Sequence, residues 1–526
     1  MANDFEVAVV GSGHNGLIAA AYLARAGKKV LVLERNDFLG GGAATSETAA
    51  PGYLHDRHAS FHVFIQANPL LLDDELGLLS KFGLRYSFPE AVLSTVFDDG
   101  DAITLYRDVE KSCASIARIS SQDADVYRAL MNQTLSKLPH AVGAMFVPPS
   151  PQGVFWSQLD QSTEGQAMMR TIQRSMLEVV DEHFESEKVK IHLLKIAAEL
   201  LMTPHEGGTG GHVANMAAFS HAYSWAIPIG GSGALTHALV RCLEHYGAEI
   251  RARSEVVRIK ASSGVVAGVE LASGETISAN VVIGQIHPWL LGNVVEGIES
   301  NLSRTARNTT TAPFSIMSNH YALKESVRFR VPDEAAQTAY MSFVPTSLEA
   351  YLRVFDDLQY GDLPGSRLLG AYDHARWDST RAPAGGGTLT LLGFCPYSLR
   401  NGGVAAWDER RDELRTFLPS LVSDLCSNLT PENIVGSSFQ TPLDAERFSP
   451  TFQSGDVCGL GKAFYQSGGH RPTPELSQYT VPGIDGLYLA GAWMHPAGGI
   501  TGGGRATAIR ICGDLGINFD SLRRTA

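Results

Sequence analysis

The chain has 526 residues, of which 44% are hydrophobic and 18% charged, and its formal net charge is −13. That length predicts two or three domains rather than one simple core, and the acidic balance argues against a nucleic-acid partner. The six cysteines are scattered and form no C-x-x-C pair, which argues against a disulfide framework, a zinc site and the usual disulfide-reductase chemistry, and fits a reducing, cytoplasmic compartment.

The chain begins with an apolar run, Val7-Ala8-Val9-Val10, followed by Gly11-Ser12-Gly13-His14-Asn15-Gly16. A helical pattern over residues 17–26 ends at Gly27, and a second apolar run over residues 29–33 closes on Glu34. Strand, glycine turn, helix, strand and acid form the context in which G-x-G-x-x-G carries meaning. Gly11 permits the tight turn, Gly13 lets backbone N–H groups approach a pyrophosphate, and Gly16 lets the helix pack close to the sheet. The helix N-terminus presents its positive end to the phosphates. Glu34, 18 residues after Gly16, is placed to accept hydrogen bonds from a ribose diol. The pattern indicates a dinucleotide and leaves open which one. No charged leader or long apolar segment precedes the first strand, and no stretch reaches about 18 consecutive apolar residues, so neither a signal peptide nor a membrane span is predicted.

Residues 66–224 read mainly as helix. Asp108 is placed to cap a helix running to about residue 118, Ser121 to cap the next, and residues 178–201 have helical spacing with Glu182, Glu185 and Glu187 on a solvated face. After Pro228-Ile229-Gly230-Gly231 a helix is predicted to residue 246, with Gly247 as its C-cap. Strands follow at residues 249–251, 256–260 and 265–271, then a hairpin turn at Ser273-Gly274-Glu275. Residues 281–284 read as a buried strand of a parallel sheet. Residues 291–454 mix strands with loops, including a strand over 388–394. Near the C-terminus a buried strand over 486–491 leads into a glycine-rich loop, 492–504, and a helix over 505–515. The nucleotide signals therefore fall in three separated places. The predicted fold is α/β. Residues 1–65, 225–290 and 455–526 form a discontinuous Rossmann-type domain with a parallel sheet, and residues 66–224 and 291–454 form an inserted α+β substrate domain.

The C-terminal strand, loop and helix identify the dinucleotide. They would bring further backbone N–H groups to a long ligand, and the helix dipole beside a flavin would stabilise the anionic edge of its reduced form. A dedicated pyridine-nucleotide domain would need a second fingerprint. Thr236, Val213 and Thr507 stand where the third glycine of each candidate belongs. The cofactor expected is FAD.

Gly13-His14-Asn15-Gly16, Gly40-Gly41-Gly42-Ala43-Ala44 and His495-Pro496-Ala497-Gly498-Gly499 give the chain a resemblance to the phytoene desaturase-related FAD oxidoreductases. Leu105-Tyr106-Arg107-Asp108-Val109-Glu110-Lys111 and Glu182-His183-Phe184-Glu185-Ser186-Glu187 look closest to the desaturase-like carotenoid ketolase branch. The resemblance spans nearly the whole chain. It implies that Gly11, Gly13, His14, Asn15 and Gly16 line the pyrophosphate turn. Glu34 would hold the adenosine ribose with Arg35 beside the adenine, and Gly41, Gly42 and Ala43 would form a second loop under the phosphates. Val256 would meet the adenine edge through its backbone, and Gly491, Ile500 and Thr501 would approach the ribityl chain and flavin ring. Gly42 and Ala492 depart from the arginine and aspartate that many relatives carry there.

His495, in the flavin-side loop, is the candidate catalytic residue; the competing role is a hydrogen bond that only shapes the loop. His58 and His62 are further candidates to face the ring. Tyr465, His470 and Arg471 precede Pro472-Thr473-Pro474-Glu475, which resembles a segment near the family's active site, and read as structural loop residues or as residues of that site; Trp225, Trp289 and Trp493 read as cavity lining or plain core. No Cys or His has a flavinylation context, so the FAD is expected to be non-covalent. The resemblance implies hydride transfer to flavin N5 from a lipophilic, polyene- or isoprenoid-like small molecule, with oxygen or a quinone as electron acceptor and peripheral membrane contact as a family-level expectation. Two other readings stand beside it: a flavin dehydrogenase or oxidase of a small cyclic or amine compound, and a flavin-binding interaction protein without turnover. A long tunnel favours the polyene, and a compact cavity of a few hundred cubic ångströms the small compound.

Overall fold

The N-terminal apolar run lies at the centre of a parallel sheet in the computed structural model, which describes residues 4–523. Strand β1 (Phe5–Val10) pairs in parallel with Thr276–Gly284 on one side and with β2 (Val30–Leu33) on the other, so that Val7 lies opposite both Val281 and Val30. Glu249–Arg251 extends the sheet beyond β2, and Ile484–Leu489 extends it beyond Thr276–Gly284, both in parallel. All four residues of β2 are buried, as expected where both faces of a sheet are covered. Thr276–Gly284 serves two structures. Its first residues pair antiparallel with Val265–Leu271, and its last residues join β1.

Helix α1 (His14–Arg25) is buried at every position except Arg25. It packs between the helices Gly233–His245 and Gly504–Asp514. The small side chains of Ala19, Ala20 and Ala21, none of them exposed, allow that close approach. Apolar packing around this sheet continues beyond residue 65, because Leu70, Leu76, Leu78 and Phe82 share a core with α1. Leu291, Val295 and Leu302 pack on the other face.

A second sheet has seven strands in the order Ile434–Gln440, Ser315–Leu323, Gly387–Cys395, Leu369–Asp373, Tyr340–Val344, Ala91–Phe97, Ala102–Tyr106. Only the pairing of Tyr340–Val344 with Ala91–Phe97 is parallel. The helices between residues 109 and 223 pack on it through residues such as Ile116, Tyr127, Met131, Leu194 and Phe219.

Two local readings of the sequence change. Ser120, not Ser121, caps the helix Ser121–Met145: it has extended backbone angles, and its hydroxyl accepts the Asp123 N–H at 3.1 Å. The pattern over 178–201 divides into Met176–His183 and Glu187–Ala198. The break forms because the Asp123 carboxylate accepts the N–H groups of Glu185 and Ser186, each at 2.9 Å. Glu182, Glu185 and Glu187 are exposed and each has a partner: the Arg174 guanidinium, the Gln122 amide and the Leu348 N–H respectively. No described helix is long and apolar enough to cross a membrane.

Candidate functional site

The glycine turn leaves β1 at Gly11, where φ is +91°. Gly13 precedes α1 in extended conformation, with no side chain capping the helix. The first N–H groups of α1 therefore lack side-chain acceptors, as suits an anion site. Gln285 follows the strand Thr276–Gly284 and lies beneath the turn, where its Nε2 donates to the Gly11 carbonyl at 2.6 Å. A Cβ on Gly13 would stand 2.6 Å from Gln285 Oε1, and one on Gly16 would overlap the same amide. The third glycine thus makes room for a side chain that supports the turn, rather than for the sheet backbone.

A second loop meets the first backbone to backbone, with Gly40 bridging Gly13. Ser12 joins them: its hydroxyl accepts the Gly40 N–H at 3.1 Å and donates to Glu34 Oε2 at 2.7 Å. Glu34, only 6% exposed, also accepts the Ser12 N–H on Oε2 and the Asn36 N–H on Oε1, both at 2.9 Å. A carboxylate has about four lone-pair positions, so Oε1 retains capacity for a ligand hydroxyl. Ala43 lies in the core behind this loop, and its carbonyl accepts the Thr236 hydroxyl at 3.1 Å.

The C-terminal loop closes on the same turn. Gly491 has φ +150°, and the Trp493 ring occupies the place of its missing Cβ. The Ile500 carbonyl accepts the Ile65 N–H at 3.1 Å. Asn68, fully buried, donates to the carbonyls of Thr501 and Gly502 at 3.1 and 3.0 Å, while its Oδ1 caps the Leu70 N–H. Asn15 Oδ1 accepts the Gly504 N–H at 3.2 Å, and a Cβ on Gly504 would overlap the Asn15 carbonyl. The start of α1 and the start of the C-terminal helix are thereby held together.

One cavity of about 390 Å³ runs along these loops. Its wall contains Gly11, Gly13, His14, Asn15, Glu34, Arg35, Gly41, Gly42, Val256, Gly491 and Ile500. Gly16, Ala43 and Thr501 stand behind the wall and support it. The cavity continues into a chamber lined by Phe61, Met216, Trp225, Tyr340, Tyr372 and Leu392. Burial lowers the His14 imidazole to about 4, so it is neutral near pH 7, and its buried Nε2 has no partner. An uncapped helix N-terminus, glycines that a Cβ would fill and an unpartnered polar atom in one wall fit a dinucleotide.

His495 is not in that wall. Its Nε2 donates to the Ala144 carbonyl at 3.0 Å, tying the C-terminal loop to the end of the helix Ser121–Met145, and burial lowers it to about 4. This geometry gives it a loop-holding place outside the cavity wall. His58 is in the wall, with Nδ1 accepting the Gln440 amide at 3.2 Å and Nε2 buried without a partner; burial lowers it to about 3. His62 lies outside the wall between the Tyr86 and Ser232 hydroxyls. Arg471 is buried, and its guanidinium donates to the carbonyls of Gly461, Leu460 and Ala492. The Tyr465 hydroxyl pairs with Thr310. Trp225 and Trp493 face the cavity, whereas the Trp289 Nε1 donates to the Thr309 carbonyl in the protein interior.

Sequence reasoning passed over Ser12, Gln285 and Asn68. Of these, Asn68 had a signal, because Asn followed by Pro69 is a helix start. It also passed over Lys195, Glu199 and Tyr340, which meet at the chamber wall: the Lys195 ammonium and the Tyr340 hydroxyl both reach Glu199 Oε1.

Residues 9–72 match the family of NAD(P)-binding Rossmann-like domains. Over nearly its full length the chain is similar to a limonene dehydrogenase polypeptide of Castellaniella defragrans, with 28% identity covering 98% of this chain and 95% of that one. It is 27% identical to pyridine nucleotide-disulfide oxidoreductase domain-containing protein 2 of Rattus norvegicus (97% and 93% covered) and 24% identical to the phytoene desaturase of Cercospora nicotianae (97% and 90% covered). The fold is shared with an oxidoreductase from Methanosarcina mazei at a TM-score of 0.63, with 14% identity over 97% of this chain and 100% of that one. It is shared also with cyclohexylamine oxidase from Brevibacterium oxydans at 0.55, with 16% identity over 99% and 100%.

Proposed function

We propose that this chain is a phytoene desaturase-related, FAD-dependent oxidoreductase that holds FAD non-covalently along the glycine turn and oxidises a lipophilic, isoprenoid-like substrate in the aromatic chamber. The observation that carries the reading is the continuity of one cavity from the turn into the chamber. Gly11, Gly13 and Asn15, with the open N-terminus of α1, would receive the pyrophosphate. Glu34 would receive the ribose, Val256 and Arg35 the adenine, and Gly491 and Ile500 the flavin end. When bound, FAD would supply a hydride acceptor, with oxygen or a quinone as the final electron acceptor.

The chain's own residues do the rest. The glycine loops bring N–H groups to the phosphates, and Asn68 and Asn15 hold the C-terminal loop against them. Phe61, Trp225, Tyr340 and Tyr372 exclude water from the chamber, where their rings meet at 5.3–6.0 Å. The names of the bacterial and fungal relatives, limonene dehydrogenase and phytoene desaturase, point to substrates of isoprenoid type.

The test is spectroscopic. The purified protein should show flavin bands near about 370 and 450 nm, released by denaturation. Anaerobic addition of monocyclic terpenes should bleach the 450 nm band more than addition of cyclic amines. A folded protein without those bands after FAD loading would overturn the cofactor, and bleaching by amines alone would overturn the substrate class.

A further inference from the structure

The chamber is apolar except at a few points, and one of them has a particular construction. Lys195 and Glu199 lie one helical turn apart at the end of Glu187–Ala198, and Tyr340 opens the strand Tyr340–Val344 across from them. The Lys195 side chain is 1% exposed and its ammonium lies 4.7 Å over the Phe394 ring; the Glu199 side chain is 15% exposed and is part of the cavity wall. Both partners of Glu199, the Lys195 ammonium and the Tyr340 hydroxyl at 2.8 Å, meet the same oxygen, Oε1. Oε2 is the atom with acceptor capacity left. Removing two charges from water costs what their attraction barely returns, and apolar replacements of such pairs are often neutral or stabilising. A pair held against the Phe394 and Tyr340 rings is therefore poorly explained by stability alone. The Ser60 and Tyr372 hydroxyls, also in the wall, bond to each other at 2.6 Å.

We propose that Glu199 Oε2 accepts a hydrogen bond from a hydroxyl group on the otherwise apolar substrate, with Lys195 and Tyr340 fixing the carboxylate from the other side. The inference rests on the reading of this cavity as the substrate chamber. The charge of the pair selects the donor. Lys195 already offsets most of the Glu199 charge, so an ammonium would bring a desolvation cost that the remaining attraction does not repay, while a substrate carboxylate would meet Glu199 directly. A neutral hydroxyl satisfies Oε2 without adding a buried charge. A hydrocarbon leaves Oε2 desolvated and unbonded, and sites built to bond a hydroxyl discriminate against analogues that lack one.

The experiment is calorimetric titration of the FAD-loaded protein with three ligands on one monocyclic C10 terpene skeleton: the hydrocarbon, its primary alcohol and its primary amine. The alcohol is expected to bind roughly ten- to hundredfold tighter than the hydrocarbon, the range for a hydrogen bond to a charged group. The amine is expected to bind no tighter than the hydrocarbon. In the double variant Lys195→Met/Glu199→Leu, which removes both charges at similar volume, the alcohol's advantage should fall to about twofold or less while the hydrocarbon still binds; a purely structural pair would leave that ratio in place. Equal wild-type affinities for alcohol and hydrocarbon, preference for the amine, or a ratio that persists in the folded double variant would each overturn the inference and leave the lipophilic chamber standing. If the double variant does not fold, the wild-type ratio decides. Binding of none of the three to flavin-loaded protein would overturn the chamber itself, and the inference with it.

Discussion

Ser12 links three backbone segments through one short side chain: its hydroxyl accepts from Gly40, donates to Glu34, and stands beside its own N–H on the same carboxylate. Glu34 thus fixes the glycine turn before any ribose arrives. Glu34→Ala would strip the acceptor from the Ser12 N–H, the Ser12 hydroxyl and the Asn36 N–H, and a buried unsatisfied donor costs about 1–3 kcal/mol. FAD affinity should fall roughly tenfold or more, read as flavin fluorescence recovered on dilution, with Glu34→Gln milder because its amide oxygen still accepts. Gain of no free flavin in the alanine variant would show that the turn holds without Glu34. The acid itself was legible, since it ends the second strand of a recognisable motif. Ser12 was not, because the motif leaves that position unspecified. Glu199 and Tyr340 are 141 residues apart, and no local pattern joins them.

At the scale of elements, the C-terminal loop is held by residues distant in sequence. Asn68 makes three hydrogen bonds, two of them to carbonyls more than 430 residues away. Asn68→Ala removes all three from a fully buried site and should lower stability by about 3 kcal/mol, measured as the urea midpoint. Asn68→Asp keeps the cap on Leu70 and loses only the donors, so it should retain part of the stability while still weakening FAD retention. An unchanged midpoint in Asn68→Ala would mean that the loop is held by its other bonds, those of Asn15, Ile65, His495 and Arg471 among them. The strand and helix of this segment were readable from glycine placement and apolar runs. The division of residues 178–201 was not, because the carboxylate that breaks the pattern comes from Asp123, on a helix about 60 residues earlier. Periodicity reports which face is apolar and is silent about a cap supplied from elsewhere.

For the molecule as a whole, the three separated segments meet in one sheet whose central strands are parallel. The seven-stranded sheet was only partly visible, since its strands pair across gaps of up to about 250 residues. Folding also buries many imidazoles, and this makes stability depend on pH. Burial lowers His14, His55, His212, His287 and His495 to about 4, and His58, His62 and His192 to about 3. The unfolded chain titrates near the ordinary value of 6.5. Between pH 6.5 and about 4 the unfolded state therefore binds more protons than the folded one, and stability rises with pH. Each buried histidine contributes a slope of up to about 1.4 kcal/mol per pH unit in that window. Asp98, Glu206 and Asp456, whose carboxyls burial raises, act with the opposite sign, but they are fewer. The melting temperature should be nearly flat above pH 7 and should fall steeply between pH 6 and 4.5, with flavin released in the same range because His14 and His58 face the cavity. Circular-dichroism melts across pH 4–8 measure it. A melting temperature at pH 5 equal to that at pH 7 would mean that these imidazoles gain hydrogen-bonding partners on protonation that their burial does not provide.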